Sequence, residues 1–354
     1  PLLFDKRVMA DSAGNYHNHY AAQISADGSK VSSATIKRVM RELRGLKKSL
    51  PLGFESSIFL RYDKAKPFVM QVLIMGPHDT PYDSGAFLFD IYCSPEYPRG
   101  SPNVNLATTG GGSVRFNPNL YNCGKVCLSL LGTWRGGGRS EEWTDKSTIL
   151  QVLVSIQALI LVKYPYFNEP GVESQIGTPE GERGRRTSSN GGYEYLRVGT
   201  IQWAMVDQLR NPSPGFEDVI REHFRLKRRH ILDVCDAWMA EAAVSDTAGH
   251  HASLKRQVDA LRVELAKLGE SPCDLLPPAD GAGGAGGGAG GGSSRVDPFG
   301  GRDISSELEM MSAVLGDGYP KALLKKALEL NEVSVEASIN WCLSQGETYL
   351  AQHL

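Results

Sequence analysis

A chain of 354 residues, 41% of them apolar, is long enough for two or three units with a real core, and its 38 Lys and Arg against 40 Asp and Glu leave a formal charge of −2. That balance gives no bulk electrostatic case for nucleic acid or an anionic membrane, so neither is expected and partner choice falls to local surfaces. The six cysteines, at 93, 123, 127, 235, 273 and 342, form no Cys-x-x-Cys pair, and the first residues show no basic-then-apolar leader; free thiols in a cytosolic or nuclear compartment are expected.

In chain order, residues 1–33 read as an N-terminal extension. Over 34–50, Ile36, Val39, Met40, Leu43 and Leu46 share one helical face, which predicts a first helix. "PFVMQVLIM" (67–75) and "AFLFDIYCS" (86–94) are strand-like, with Gly, Pro and Asp of "GPHDTPYDSG" (76–85) between them and "SPEYPRGSP" (94–102) after them, so an antiparallel meander follows the helix. The apolar run "ILQVLVSIQALILV" (149–162) is too short to span a bilayer and reads as a buried crossing helix from about 147, capped by Ser147. "GTPEGERGRRTSSNGG" (177–192) is polar and Gly-rich and reads as a flexible loop.

From about 193 the pattern is helical to 270. Phe216, Val219, Ile220, Phe224, Ile231, Val234 and Trp238 keep helical spacing, and "RLKRRH" (225–230) is assigned to a solvated basic face. Leu254, Val258, Leu261, Leu265 and Leu268 form a narrow seam suited to a second helix, and His250 and His251 read as surface residues. Gly, Ala and Ser dominate 280–294, which marks a flexible linker over 271–302, and 303–354 reads as a bundle of three short helices.

The chemistry gathers in "NPNLYNCGKVCLSLL" (117–131). A cysteine ahead of an apolar run is by itself more often packed than reactive. Here Asn119 precedes Cys127 across a polar, Gly-containing loop that can double back, so an amide and a thiol can meet at one surface. Such a pair suits acyl transfer, in which a thiolate attacks a carbonyl and a donor supports the oxyanion. No nearby His serves as the base of a cysteine hydrolase. Cys123 and Cys127 lack the further ligands of a zinc site, and "TTGGGS" (108–113) lacks the Lys and helix start of a phosphate cradle; no cofactor and no metal is expected.

This stretch, with "IMGPHDTPYDSGAFLFDIYCSPEYP" (74–98), Trp143 and "FNEPG" (167–171), resembles the ubiquitin-conjugating enzymes. "ATTGGGSVRFNPNLYNCGKVCLSLLGTW" and "LVKYPYFNEPG" are similar, more narrowly, to the giant inhibitor-of-apoptosis type within that family. The resemblance implies an α+β catalytic core over 34–176: an N-terminal helix, a four-stranded antiparallel meander, a crossover helix and C-terminal helices, the last extended over 193–270. It implies that Cys127 takes ubiquitin from a ubiquitin-activating enzyme as a thioester and passes it to a lysine of a protein substrate. Asn119 would support the oxyanion or the loop, and Glu169 would orient the lysine. Asn117 stands where the family usually has His, and Ser129 where many members have Asp. The places through which many members dock a RING or HECT ligase hold Arg99 and Thr144-Asp145-Lys146, which argues against a separate ligase of those kinds and for a combined conjugating enzyme and ligase. The bundle over 303–354 resembles a ubiquitin-associated domain, with Gly318, Tyr319 and Leu343 as ubiquitin-binding candidates and Asp317 in place of a loop Met. A catalytically silent ubiquitin-binding scaffold is the alternative.

Overall fold

The computed structural model describes residues 3–133, 142–245, 247 and 249–269, together with 308 and 325. The elements in order are β1 (Phe4–Arg7), α1 (Ala21–Asp27), α2 (Ser33–Ser49), β2 (Ile58–Asp63), β3 (Val69–Met75), β4 (Ala86–Tyr92), β5 (Asn103–Leu106), α3 (Ile149–Ser155), α4 (Pro179–Thr187), α5 (Tyr193–Gly199), α6 (Asp207–Arg210), α7 (Glu217–Ala243) and α8 (His250–Ala266). α3 runs on as the wider-turned helical segment Ile156–Ile160, and α5 as Thr200–Val206.

β3 and β4 are buried at every position, which a strand tolerates only when both faces of its sheet are covered. Val72, Ile74, Phe87 and Phe89 pack with Val39, Leu43 and Leu46 of α2 and with Ile149, Val152 and Leu153 of α3. On the opposite face Leu73, Met75, Ala86 and Leu88 pack with Ile201 and Met205 and with Phe216, Val219, Ile220 and Phe224. The alternation over Val72–Met75 and Ala86–Phe89 follows from the two-residue period of side chains. The helices after residue 193 therefore belong to the same unit as the sheet, Pro1–Gly269. The other unit, Glu270–Leu354, spans the stretches expected to be a linker and a three-helix bundle, which lie outside the described residues apart from 308 and 325.

Among the described residues the sheet has five strands in the order β1-β2-β3-β4-β5, the expected four-stranded meander plus one strand more. β2 to β5 form the antiparallel meander, with Phe89 opposite Leu106 and Val72 opposite Phe89. β1 adds to β2 in parallel, Phe4 against Leu60 through Arg7 against Asp63, so part of the N-terminal extension belongs to the core. Its sequence, Phe-Asp-Lys-Arg, shows the charge that keeps an edge strand from pairing elsewhere, and for that reason it does not read as a strand.

Four further expectations change. The crossing helix is capped by Thr148, not Ser147: Thr148 Oγ1 accepts from the Gln151 amide at 3.3 Å and Gln151 Oε1 accepts from the Thr148 amide at 2.8 Å, a reciprocal capping box. The segment 177–192 contains α4, with Thr178 as cap, Pro179 in the first turn, Glu180 and Glu182 at the positive end and Arg185 and Arg186 at the negative end. Its glycines read as breakers, yet a Cβ on Gly184 would lie 2.3 Å from the Tyr166 ring, so the residue is there for close packing. Lys227, within the basic stretch of α7, is buried instead of solvated. His250 is buried at the start of α8, beside Glu194, where burial lowers its pKa. The seam of α8 packs as expected, with Leu254, Val258, Leu261 and Leu265 all buried. Among the described residues no helix is long and apolar enough to cross a membrane.

Candidate active site

Residues 119–127 fold into a small hairpin beside β5. The Cys127 amide donates to the Asn119 carbonyl at 2.8 Å and the Tyr121 amide to the Lys125 carbonyl at 3.0 Å, while the Leu106 amide ties the hairpin to the sheet through the Gly124 carbonyl at 2.8 Å. Apolar anchors hold it from beneath, since Phe116, Leu120 and Val126 are buried. Gly124 has φ +86°, and a Cβ there would meet the Asn105 side chain and the Leu106 carbonyl at 2.5 Å, so the turn needs glycine for both conformation and space. After the cysteine, Thr133 Oγ1 donates to the Val126 carbonyl at 2.8 Å and receives the Leu128 amide at 3.0 Å, which closes the loop.

Asn117 is fully buried and fully employed. Its Nδ2 donates to the Ile160 carbonyl at 2.7 Å and contacts the Tyr82 hydroxyl at 3.3 Å, and its Oδ1 accepts from the Asn119 amide at 2.8 Å. The Tyr82 hydroxyl in turn donates to the Phe116 carbonyl at 2.5 Å. One amide thus fastens the cysteine loop both to the crossing helix and to the β3–β4 turn.

Asn119 and Cys127 are brought together as the spacing requires. The Asn119 side chain, however, donates from Nδ2 to the Cys127 carbonyl at 2.9 Å, and its Oδ1 is buried without a partner among the described residues. In this state the amide braces the loop; service to an oxyanion would require it to leave that carbonyl. Cys127 itself is 3% exposed. Burial pushes its thiol pKa above the ordinary value, against the lowering effects of Lys125, of the Tyr121 hydroxyl that bonds to the thiol, and of Arg115. The thiolate fraction at neutral pH is accordingly smaller than that of an unperturbed cysteine.

Three neighbours of the thiol escaped the sequence reading. Arg115 stacks over the Tyr121 ring at 4.2 Å and donates to the Pro118 carbonyl at 2.7 Å, and Lys125 Nζ lies 5.7 Å from the same ring. The hairpin register was the available signal: Lys125 and Cys127 are two apart and share a face, with Tyr121 opposite Lys125. Glu169 follows a short helical turn, Pro165–Asn168, and is 38% exposed along its side chain; its Oε2 accepts from Asn190 Nδ2 at 2.7 Å and lies 3.8 Å from Arg115 Nη2. It therefore joins the surroundings of Cys127 through Arg115. Cys123 is exposed and free. The one set of metal-type donors gathered among the described residues, His78, Asp83 and His230, does not include Cys127. Gly318, Tyr319 and Leu343 lie outside the described residues.

Comparison with known proteins gives this geometry its setting. A family model described as ubiquitin-conjugating enzyme matches residues 38–183. The chain is 48% identical over 268 residues to the human dual E2 ubiquitin-conjugating enzyme/E3 ubiquitin-protein ligase BIRC6, an alignment covering 73% of this chain and 5% of that protein. The mouse protein of the same name is 44% identical over 314 residues, 84% of this chain and 6% of the relative. Ubiquitin-conjugating enzyme E2 38 of Arabidopsis thaliana is 38% identical over 232 residues, 66% of this chain and 68% of the relative. The chain spans only a small part of the length of its human and mouse relatives.

Proposed function

The chain belongs to the ubiquitin-conjugating enzyme family, and from that premise we propose that Cys127 carries ubiquitin between an activating enzyme and a substrate lysine. The observation that carries the assignment to this cysteine is its place on the hairpin: two hydrogen bonds join it to Asn119, and Arg115, Tyr121 and Lys125 surround its thiol. In loading, the Cys127 thiolate attacks the carbonyl carbon of the ubiquitin thioester on the activating enzyme; a carbon–sulfur bond forms, the tetrahedral intermediate collapses, and the activating enzyme's thiolate leaves. In discharge, the lysine amine attacks the carbonyl on Cys127, an isopeptide carbon–nitrogen bond forms, the nitrogen's proton passes to water, and the carbon–sulfur bond breaks with Cys127 leaving as thiolate. Glu169 would orient the lysine, a role its contacts with Asn190 and Arg115 would support by fixing its direction.

A raised thiol pKa has a use in such a carrier. A thiol of higher pKa is a poorer leaving group, so its thioester persists until an oriented amine arrives. Arg115 and Lys125 offset part of the shift and keep loading accessible. The resemblance of residues 303–354 to a ubiquitin-associated domain makes Gly318, Tyr319 and Leu343 its ubiquitin-binding candidates, and the relatives' names favour combined conjugating and ligase activity toward protein substrates. The free Cys93, Cys123, Cys127 and Cys235 suit a cytosolic or nuclear setting.

The test is incubation with activating enzyme, ATP and ubiquitin. A reductant-sensitive adduct is expected with the wild-type chain, none with Cys127→Ala, and a reductant-resistant ester with Cys127→Ser. A folded wild-type chain that forms no adduct would sink the enzyme reading and leave the binding scaffold. Glu169→Ala is expected to load normally and discharge to free lysine about tenfold or more slowly, the low end of what a positioned general base contributes; unchanged discharge removes Glu169 from that role.

A further inference from the structure

His78 and Asp83 come from the turn between β3 and β4 and His230 from α7, and one ligand atom from each lies within 4.8 Å of the other two. Asp83 is only 2% exposed along its side chain, and its two oxygens are divided between the rings: Oδ2 is 3.0 Å from His78 Nδ1 and Oδ1 is 3.0 Å from His230 Nε2. The Asp79 amide at 3.1 Å and the Ser84 hydroxyl at 2.7 Å hold the carboxylate. The His230 ring packs edge-on against Phe54 with centroids 5.2 Å apart, and the two imidazoles lie 4.9 Å apart. His78, with its side chain 49% exposed, leaves one side of the cluster open to water.

We propose that His78, Asp83 and His230 form a zinc site that fastens the β3–β4 turn to α7. Two imidazole nitrogens and a carboxylate oxygen are a common three-residue donor set for zinc, with water completing a tetrahedron. Zinc bonds of about 2.0–2.2 Å place the ligand atoms roughly 3.3–3.6 Å from one another. Each imidazole contacts a different Asp83 oxygen, so one carboxylate oxygen and the two nitrogens, within 4.8 Å of one another, must draw in by up to about 1–1.5 Å on zinc, a movement available to the half-exposed His78 ring. The carboxylate is already oriented by donors behind it, as ligating carboxylates are. Each imidazole binds in its neutral form with the proton on the nitrogen facing away, so the two hydrogen bonds to Asp83 are exchanged for two metal bonds. Lys227, 3.3 Å from Ser84 Oγ and above the Phe54 ring at 4.5 Å, is the cation already paired with Asp83 electrostatically. Its charge opposes the ion and sets the affinity below that of a cysteine-rich structural site.

The turn that would be held also carries Tyr82, whose hydroxyl reaches the Phe116 carbonyl at 2.5 Å and contacts Asn117. A metal here is therefore a structural fastening one step removed from the cysteine loop.

The experiment uses the full chain, freed of metal, with Co²⁺ as a spectroscopic probe and Zn²⁺ as competitor. Expected is one equivalent of Co²⁺ with visible d–d bands of tetrahedral intensity and no thiolate charge-transfer band, displaced by Zn²⁺. His78→Ala and His230→Gln are expected to weaken that binding by about tenfold or more, while Cys123→Ser leaves it unchanged. Zinc should raise the melting temperature of the wild type and not of His78→Ala. Binding that is unaltered in both histidine variants, a spectrum dominated by thiolate and lost in Cys123→Ser, or no uptake at all would overturn the site and leave a hydrogen-bonded His-Asp-His clasp. None of these outcomes depends on ubiquitin loading.

Discussion

Burial and charge oppose one another at the Cys127 thiol, and burial is the larger effect. The pH dependence follows in sign. The folded thiol holds its proton more tightly than the unfolded one, so its contribution to stability is complete below the unfolded pKa and is lost as pH rises through the folded value. Nucleophilicity runs the other way and grows with pH until the thiolate is fully formed. In a Cys123→Ser background, the rate of Cys127 alkylation by iodoacetamide should therefore have its midpoint above that of a cysteine peptide. Lys125→Ala should raise the midpoint further, because it removes a lowering charge. A midpoint at or below that of the peptide would show that the cationic neighbours outweigh burial. Asn117 marks what was legible at this scale: its departure from the family's His is visible in the sequence. That its amide reaches the Ile160 carbonyl at 2.7 Å depends on a contact 43 residues away. Cys127 and Asn119 could be paired by local spacing; Arg115 and Glu169 could not.

Among the elements, one carboxylate gathers the polar contacts where the start of α3 meets α2. Glu42, on α2, accepts from Arg38 Nε at 2.5 Å, from the Tyr97 hydroxyl at 2.5 Å and from the Ile149 amide at the start of α3 at 2.8 Å. It thus serves an orphan amide of the first turn of α3, where a negative charge is also favoured by the helix dipole. Glu42→Ala leaves these donors without their acceptor and is expected to cost about 2–4 kcal/mol, measured by denaturant unfolding of the chain. A loss under about 0.5 kcal/mol would mean that water replaces the carboxylate at no net cost. Helices and central strands were readable because their apolar period or run is local, as with Val39, Leu43 and Leu46 on α2. β1 and α4 were not. The first has no apolar run and is defined by pairing with Leu60 and Asp63; the second has two glycines where close packing, not flexibility, is the reason. Lys227 was assigned to a solvated face because helical charge patterns do not reveal which partner lies across the interface.

Over the whole molecule, the sheet is closed on both faces within Pro1–Gly269, and the following residues form a second unit. A chain ending at Gly269 retains every described element and every described neighbour of Cys127, so it is expected to load ubiquitin at the rate of the full chain. The proposed ubiquitin-associated domain then acts only through tethering. In that proposal the Gly-rich stretch 280–294, acting as a linker, would hold a bound ubiquitin at an effective concentration of about millimolar, which matters only while free ubiquitin stays well below that level. Ubiquitin-chain formation by the truncated form should therefore fall behind the full chain at low micromolar ubiquitin and catch up as ubiquitin is raised. Equal chain formation at every concentration would remove the tethering role while leaving the carrier intact. Loss of loading on truncation would instead show that residues after Gly269 support the catalytic unit itself, and the division into two working parts would fail.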